Sequence, residues 1–235
     1  MAFSEREMEF IVPAFFVGSA VLMSALGILF AKKRGAREVE TAKATAAMLG
    51  LSFVDARVGD TASMTDEERK TREMLQKVPF FKILDLFPSW RISGQRGGER
   101  VEAFTESRSS GKSSTTYTVA RAWLKKAPQF DLRIAHEGLF TKLGKSLFGL
   151  EDVETGDPTF DDAARVKSKD PMSAKLLLAR PGAKDAIVRL LESNKSAFVT
   201  REYVQWEVMG TRLDAATLGD ALDKAAAVAR ALGGD

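Results

Sequence analysis

The sequence predicts an α+β fold: a single N-terminal transmembrane helix, followed by a soluble domain in which an antiparallel meander is flanked by helices. Three observations carry this. Residues 10–31, FIVPAFFVGSAVLMSALGILFA, contain no charged side chain. Residues 90–124 read as three runs rich in β-branched and aromatic residues, separated by short turn-forming segments. Helical patterns gather on either side of those runs and not between them, so the strands are joined as hairpins and not through βαβ crossovers.

The elements follow in chain order. The apolar run is 22 residues long, roughly 33 Å as a helix and enough for the hydrocarbon core of a bilayer. Pro13 falls in its first turn, where a missing N–H costs little. A cleaved signal peptide is a poor match, because the preceding residues are acidic and AKKRGAR follows in place of a small-residue cleavage site. Lys32, Lys33, Arg34 and Arg37 flank one end, and Glu5, Glu7 and Glu9 the other. Basic flanks stay cytoplasmic, so residues 1–9 are expected to form a short extracytoplasmic tail and the large C-terminal part to face the cytoplasm of a cell with this chain in its inner membrane. Ala14 with Gly18 and Ala20 with Ser24 are small-xxx-small pairs that would let a second helix approach.

Residues 32–50 are expected to form a basic flank and a helical stalk, EVETAKATAAML, ended by Gly50. Residues 51–235 are expected to form the α+β domain. Residues 51–54 suit a strand and 57–63 a loop. Thr65 and Glu68 make a capping box for a helix that ends before Pro79. Residues 79–88, PFFKILDLFP, are too short to span a bilayer and suit core or a membrane-facing surface. Strands are expected over 90–95, 100–106 and 115–124, with Arg96-Gly97-Gly98 turning between the first two. In the third, Tyr117, Val119, Arg121 and Trp123 share one face, while Thr118, Ala120, Ala122 and Leu124 share the other. An edge strand is expected at 130–134, a short amphipathic helix at 139–148, and a turn at Gly156-Asp157-Pro158. A strand at 166–169 precedes helices at 172–179 and 183–193. A hairpin at 197–202 and 204–209 has no obvious turn residues. The last helix runs over 214–232, with Asp214 as N-cap and an apolar face of Leu218, Leu222, Ala225, Ala229 and Leu232. Phe87, Trp90, Trp123, Phe130, Phe148 and Trp206 read as core aromatics.

Composition removes several kinds of chemistry. There is no cysteine and the only histidine is His136, which excludes disulfides, thiolate nucleophiles, cysteine metal sites and any multi-histidine site within the chain. The net charge of +3 falls to +1 once the basic flank (+4) and the acidic tail (−2) are set apart, so the domain has no general bias toward nucleic acid. Gly111-Lys112-Ser113 resembles the end of a phosphate-binding loop, yet Glu106 stands where the first glycine belongs and a β-forming run follows where a helix is needed. A hairpin loop is expected there, and no nucleotide partner. His136-Glu137 lacks a second histidine, since position 140 is Phe140. Asp152, Glu154, Asp157, Asp161 and Asp162 do not follow calcium-loop spacing and read as a solvated loop. No catalytic, cofactor-binding or metal residue is assigned, and no cofactor is expected.

Several stretches together carry a family resemblance: GLSF (50–53), PFFKILDLFPSWRISGQRGGERVEAF, SGKSS with TYTVA, PQFDLRIAHE, and GDPTFDDAARVKSKDP. Over residues 48–232 the chain resembles a group of bacterial membrane-anchored proteins of unknown function. The resemblance implies one or two N-terminal membrane helices and a cytoplasmic α+β domain, and it carries over no catalytic residues.

The reading that follows is of a single-pass membrane protein, a non-enzymatic accessory or scaffolding subunit acting through its cytoplasmic domain. Its partners would be the lipid bilayer and a second copy or a larger membrane complex. The alternative is a membrane-surface enzyme or small-ligand module, which would show a deep pocket lined by Asp152, Asp157, Arg121 or His136. An exposed apolar patch at residues 80–87 or on the final helix would favour the scaffold.

Overall fold

The computed structural model describes residues 33, 35–55, 90–110, 113–143 and 149–234. The expected extracytoplasmic tail, the transmembrane segment 10–31, the capping-box helix, the apolar run 79–88, Gly111, Lys112 and the second half of the helix at 139–148 lie outside the described residues. Among the described residues no helix is long and apolar enough to cross a membrane. The chain divides into two units, residues 1–41 with 57–88 and residues 42–56 with 89–235. Of the first, the described part is the start of helix α1 (residues 35–49), where Thr41 Oγ1 donates to the Arg37 carbonyl at 2.8 Å.

The second unit begins with residues 42–49 of α1. Gly50, at φ +66°, ends the helix as expected, with the Leu51 N–H bonded to the Ala46 carbonyl and the Gly50 N–H to that of Ala47. This pair of reversed bonds satisfies the last carbonyls of the helix. Strands β1 (Ser52–Asp55), β2 (Trp90–Arg96), β3 (Glu99–Ser110) and β4 (Ser113–Trp123) pair antiparallel in sequence order. The expected meander is present. Gly97 and Gly98 both have positive φ, +55° and +84°, as a two-residue hairpin turn with the twist of the sheet requires. Ser110 pairs with Ser113 across the next turn, so the Gly-Lys-Ser stretch joins two strands and no helix follows it.

The remaining strands are β5 (Leu132–Ala135), β6 (Glu151–Asp152), β7 (Arg165–Ser168), β8 (Phe198–Thr200) and β9 (Tyr203–Met209). β4 pairs with β9, which makes one nine-stranded sheet of the described strands, in the order β1-β2-β3-β4-β9-β8-β5-β7-β6. Every neighbouring pair is antiparallel. β5 is interior, between β8 and β7, and not the edge strand its sequence suggests. Leu132, Ile134 and Ala135 are all buried, which an exposed edge would not provide.

Helices α2 (Glu137–Leu143), α3 (Pro158–Ala163), α4 (Pro171–Leu178), α5 (Ala183–Ser193) and α6 (Ala215–Gly233) complete the unit. Asp157, Asp170 and Asp214 each cap a helix by accepting from a backbone N–H three residues on, and proline follows the first two at the position where its missing N–H is harmless. The bonds that Ser173 and Thr217 donate, through side chain and backbone, hold the Asp170 and Asp214 carboxyls below the ordinary 3.8. The Phe160 N–H, then Lys184, do the same for Asp157.

One face of the sheet carries Ile92, Val101, Ala103, Ala120, Ala122, Val204, Trp206, Val199, Ile134 and Val166, and it is sealed by the apolar sides of α6, α5, α4 and α3 with Leu51. Leu218, Leu222, Ala225, Ala229 and Leu232 are buried there, as the periodicity of the final helix predicts. Trp90 and Trp206 belong to this core, and half-buried Phe130 packs against it. Trp123 does not: it alternates onto the other face.

Candidate functional site

Strict alternation along the central strands builds a second face of different chemistry. Glu102, Phe104, Glu106 and Arg108 of β3 point there. So do Tyr117, Val119, Arg121 and Trp123 of β4, and Tyr203, Gln205 and Glu207 of β9. One pairing row runs Ser93–Glu102–Arg121–Gln205–Phe198–Ala135–Arg165 across seven strands. The alternation that puts Tyr117, Val119, Arg121 and Trp123 on one side of β4 is therefore as the sequence predicts.

Arg121 is the centre of this face. Its Nη2 and Nε donate to Gln205 Oε1 at 2.7 and 3.2 Å, and its Nη1 reaches Glu102 Oε1 at 3.3 Å. The guanidinium also lies against three rings, Tyr203 at 4.2 Å, Phe104 at 5.1 Å and Trp123 at 5.6 Å from their centroids. Glu102, whose side chain is 4% exposed, is shared with Arg91 at 3.4 Å. Gln205 Nε2 passes the network on to Glu207 Oε2 at 2.8 Å, and Arg108 grips Glu207 with two bonds of 2.9 and 2.7 Å. Arg108 also reaches Glu106 at 3.0 Å and stacks on Tyr117. These bonds, to Glu207 first and Glu106 second, raise the Arg108 pKa, so its charge is permanent. The two buried carboxylates of this face, Glu102 and Glu207, thus each have an arginine, as a charge of low exposure requires.

Two arginines of this face are not neutralised. Arg100 lies over Trp123 at 5.3 Å and Arg133 over Phe198 at 5.4 Å, and neither has an ion-pair partner among the described residues. Trp123 Nε1 is buried and has no acceptor among the described residues. At the β5 end, Phe140 and Leu139 of α2 pack with Phe198 and Tyr203. Arg133 and Tyr203 also line a cleft of 340 Å³ with Asp131, Lys169, Thr200 and Arg201. Lys169, then Arg201, lower the Asp131 pKa there. The face as a whole offers planar cations backed by rings, an arrangement suited to holding carboxylates or other planar acceptors of a partner.

The other residues singled out in the sequence are not gathered. Asp152 lines a small cleft beside Asp161 and Arg165, and pairs with Lys167 at 2.9 Å. Asp157 lines another with Phe160 and Lys184. Neither cleft includes Arg121 or His136. His136 precedes α2, and its Nδ1 accepts from the Gly138 N–H at 3.3 Å. In the acidic stretch, Asp161 accepts from the Thr155 N–H and hydroxyl and from the Gly156 N–H, which makes it a loop organiser. Among the described residues no group of three or more His, Asp or Glu side chains is placed to hold a metal ion.

Glu102, Gln205, Glu207 and Arg108 were not singled out by sequence reasoning. Their signal is there in retrospect: Arg100, Glu102, Glu106 and Arg108 share one side of β3 and Gln205 and Glu207 one side of β9, and the antiparallel register brings these charged and polar groups together.

No family model matches the chain, and no curated protein matches it. Among solved structures the chain is similar to the mycobacterial trehalose monomycolate transport factor A, with 12% identity, a TM-score of 0.45, and coverage of 83% of this chain and 94% of that one. At that degree of likeness the functional reading rests on the chain's own residues.

Proposed function

We propose that the chain is a single-pass protein of the bacterial inner membrane, anchored by residues 10–31 with residues 1–9 outside, and that its cytoplasmic α+β domain is a non-enzymatic accessory or scaffolding module. The observation that carries the binding role is the second face of the sheet. Its carboxylates are neutralised within the domain, while Arg100 and Arg133 remain as ring-backed cations with no ion pair among the described residues. A partner supplying acidic side chains would complete them by charge-assisted hydrogen bonds. The clefts that Asp152 and Asp157 line are separate, and neither contains Arg121 or His136.

The experiment is purification of the full chain from its own membranes in several mild detergents, with the mass measured by light scattering. The scaffold reading expects a stable assembly larger than one copy in each. A chain that emerges alone and monomeric throughout contradicts it. Accessibility of a C-terminal tag to protease in spheroplasts tests the topology: protection until the membrane is broken is expected, and cleavage in intact spheroplasts reverses the orientation.

A further inference from the structure

The final helix presents none of the large exposed apolar residues of the described chain, which are Met48, Met172, Leu176 and Met209. Two of these form a pair. Met172 and Leu176, 70% and 68% exposed, stand one turn apart on α4. Beside them opens a cleft of 310 Å³ floored by Pro128, Phe130, Leu177 and Leu232. Its charged lining is of one sign, Lys126 and Arg180, with no acidic residue. Lys175, three residues after Met172 on the same helix, is exposed. Neither Lys126 nor Lys175 has an ion-pair partner among the described residues, and Asp170, the nearest carboxylate in α4's own sequence, is committed to Ser173 at 3.0 and 2.6 Å.

We infer that this patch is a second, peripheral contact with the bilayer: Met172 and Leu176 enter the interface of an anionic leaflet while Lys126, Lys175 and Arg180 meet its headgroups. Apolar side chains flanked by three cations, Lys126, Lys175 and Arg180, against one carboxylate, Asp170, match a negatively charged lipid surface, whereas a protein partner would need a matching acidic rim. The inference rests on the anchored reading, since the tether is what keeps the domain beside a membrane. It would fix which side of the domain faces the bilayer and leave the arginine face of the sheet turned to a partner.

The chain has no cysteine, so one introduced cysteine carries a fluorophore at a unique place. The full chain is reconstituted in vesicles of phosphatidylcholine with or without phosphatidylglycerol, labelled with a polarity-sensitive dye at Leu176→Cys or, as a control in the apolar run, at Ser19→Cys. Quenching by doxyl-labelled lipid is then read. The expected result is quenching at both positions, with that at Leu176→Cys depending on phosphatidylglycerol. Lys126→Gln and Lys175→Gln each lower the ratio of bilayer-bound to free label by about fivefold. An unquenched Leu176→Cys label beside a quenched Ser19→Cys label overturns the inference and leaves the anchor standing. If neither is quenched, the anchor has failed and the inference with it. A Leu176→Cys label that is shielded in detergent and unquenched by lipid, together with a disulfide dimer of Met172→Cys, assigns the patch to a second copy instead.

Discussion

The same strands bury two faces by opposite means. On the helix-covered side Ile92, Ala103, Ala120, Trp206 and Ile134 are held by shape and area alone. On the other side Glu102, Arg121, Gln205 and Glu207 are held by directed bonds between charged or polar groups. The first kind of burial stabilises a fold at roughly 25 cal/mol per Å² of apolar area and tolerates exchange among residues of equal volume. The second returns little net stability, because desolvation offsets the attraction, but it punishes the loss of any one partner. A sheet that keeps such a network across its central strands has a face where residue identity, not volume, is specified.

Four single substitutions and one double, on the two faces and on α6, run from the largest effect to the smallest. Ile134→Ala, at a side chain with no exposure, leaves a cavity under the helices and should lower the unfolding free energy by about 2–5 kcal/mol in urea titration. Glu102→Leu should cost about 2–3 kcal/mol, because it strands the Arg121 guanidinium, whose side chain is 18% exposed. The double variant Glu102→Leu/Arg121→Met should cost less than Glu102→Leu alone. A double variant that costs the sum of its parts would show that the polar face is ordinary core. Asp214→Ala should cost about 1 kcal/mol by leaving the first turn of α6 uncapped. Because folding lowers the Asp214 and Asp170 carboxyls, their stabilisation is complete above pH 3.8 and is lost as pH falls through the lower folded-state values. The Asp214→Ala and unmodified stability curves should therefore converge in acid and run parallel at their full separation above about pH 5. Lys224→Ala removes an exposed pair with Asp220 one turn away and should cost only about 0.3–0.5 kcal/mol, less in high salt.

Most of the local structure could be read from the sequence because it follows from local physics. The meander, the Gly97-Gly98 turn, the Asp214 cap and the apolar stripe of α6 each depend on residues within a turn of one another. That strand, and not helix, follows the Gly-Lys-Ser stretch was legible for the same reason, through the β-forming run after Ser113. What escaped depends on distant pairing. Nothing in 132–135 says that β8 and β7 will flank it, and nothing in either half of the chain says that β4 will take β9 as a neighbour. The β8–β9 turn was missed differently: it uses no glycine, and the Thr200 hydroxyl instead accepts from the Glu202 and Tyr203 N–H groups at 3.1 and 3.0 Å. The site was least legible of all. Arg121 could be placed on a face with Tyr117 and Trp123, but its partners Glu102 and Gln205 lie 19 and 84 residues away, and only the register of the sheet joins them.

The proposed scaffold role requires the arginine face, and not the α5 side of the domain, to hold a protein partner. It is tested most directly by reversing two charges on each side and weighing the assembly purified from native membranes in mild detergent. Arg100→Glu/Arg133→Glu should release the chain from its assembly while leaving its thermal unfolding midpoint near that of the unmodified protein. Arg189→Glu/Lys195→Glu, the same charge change on α5 and the residues just after it, should leave the assembly intact. An assembly that survives the first pair of substitutions and dissociates with the second contradicts the account.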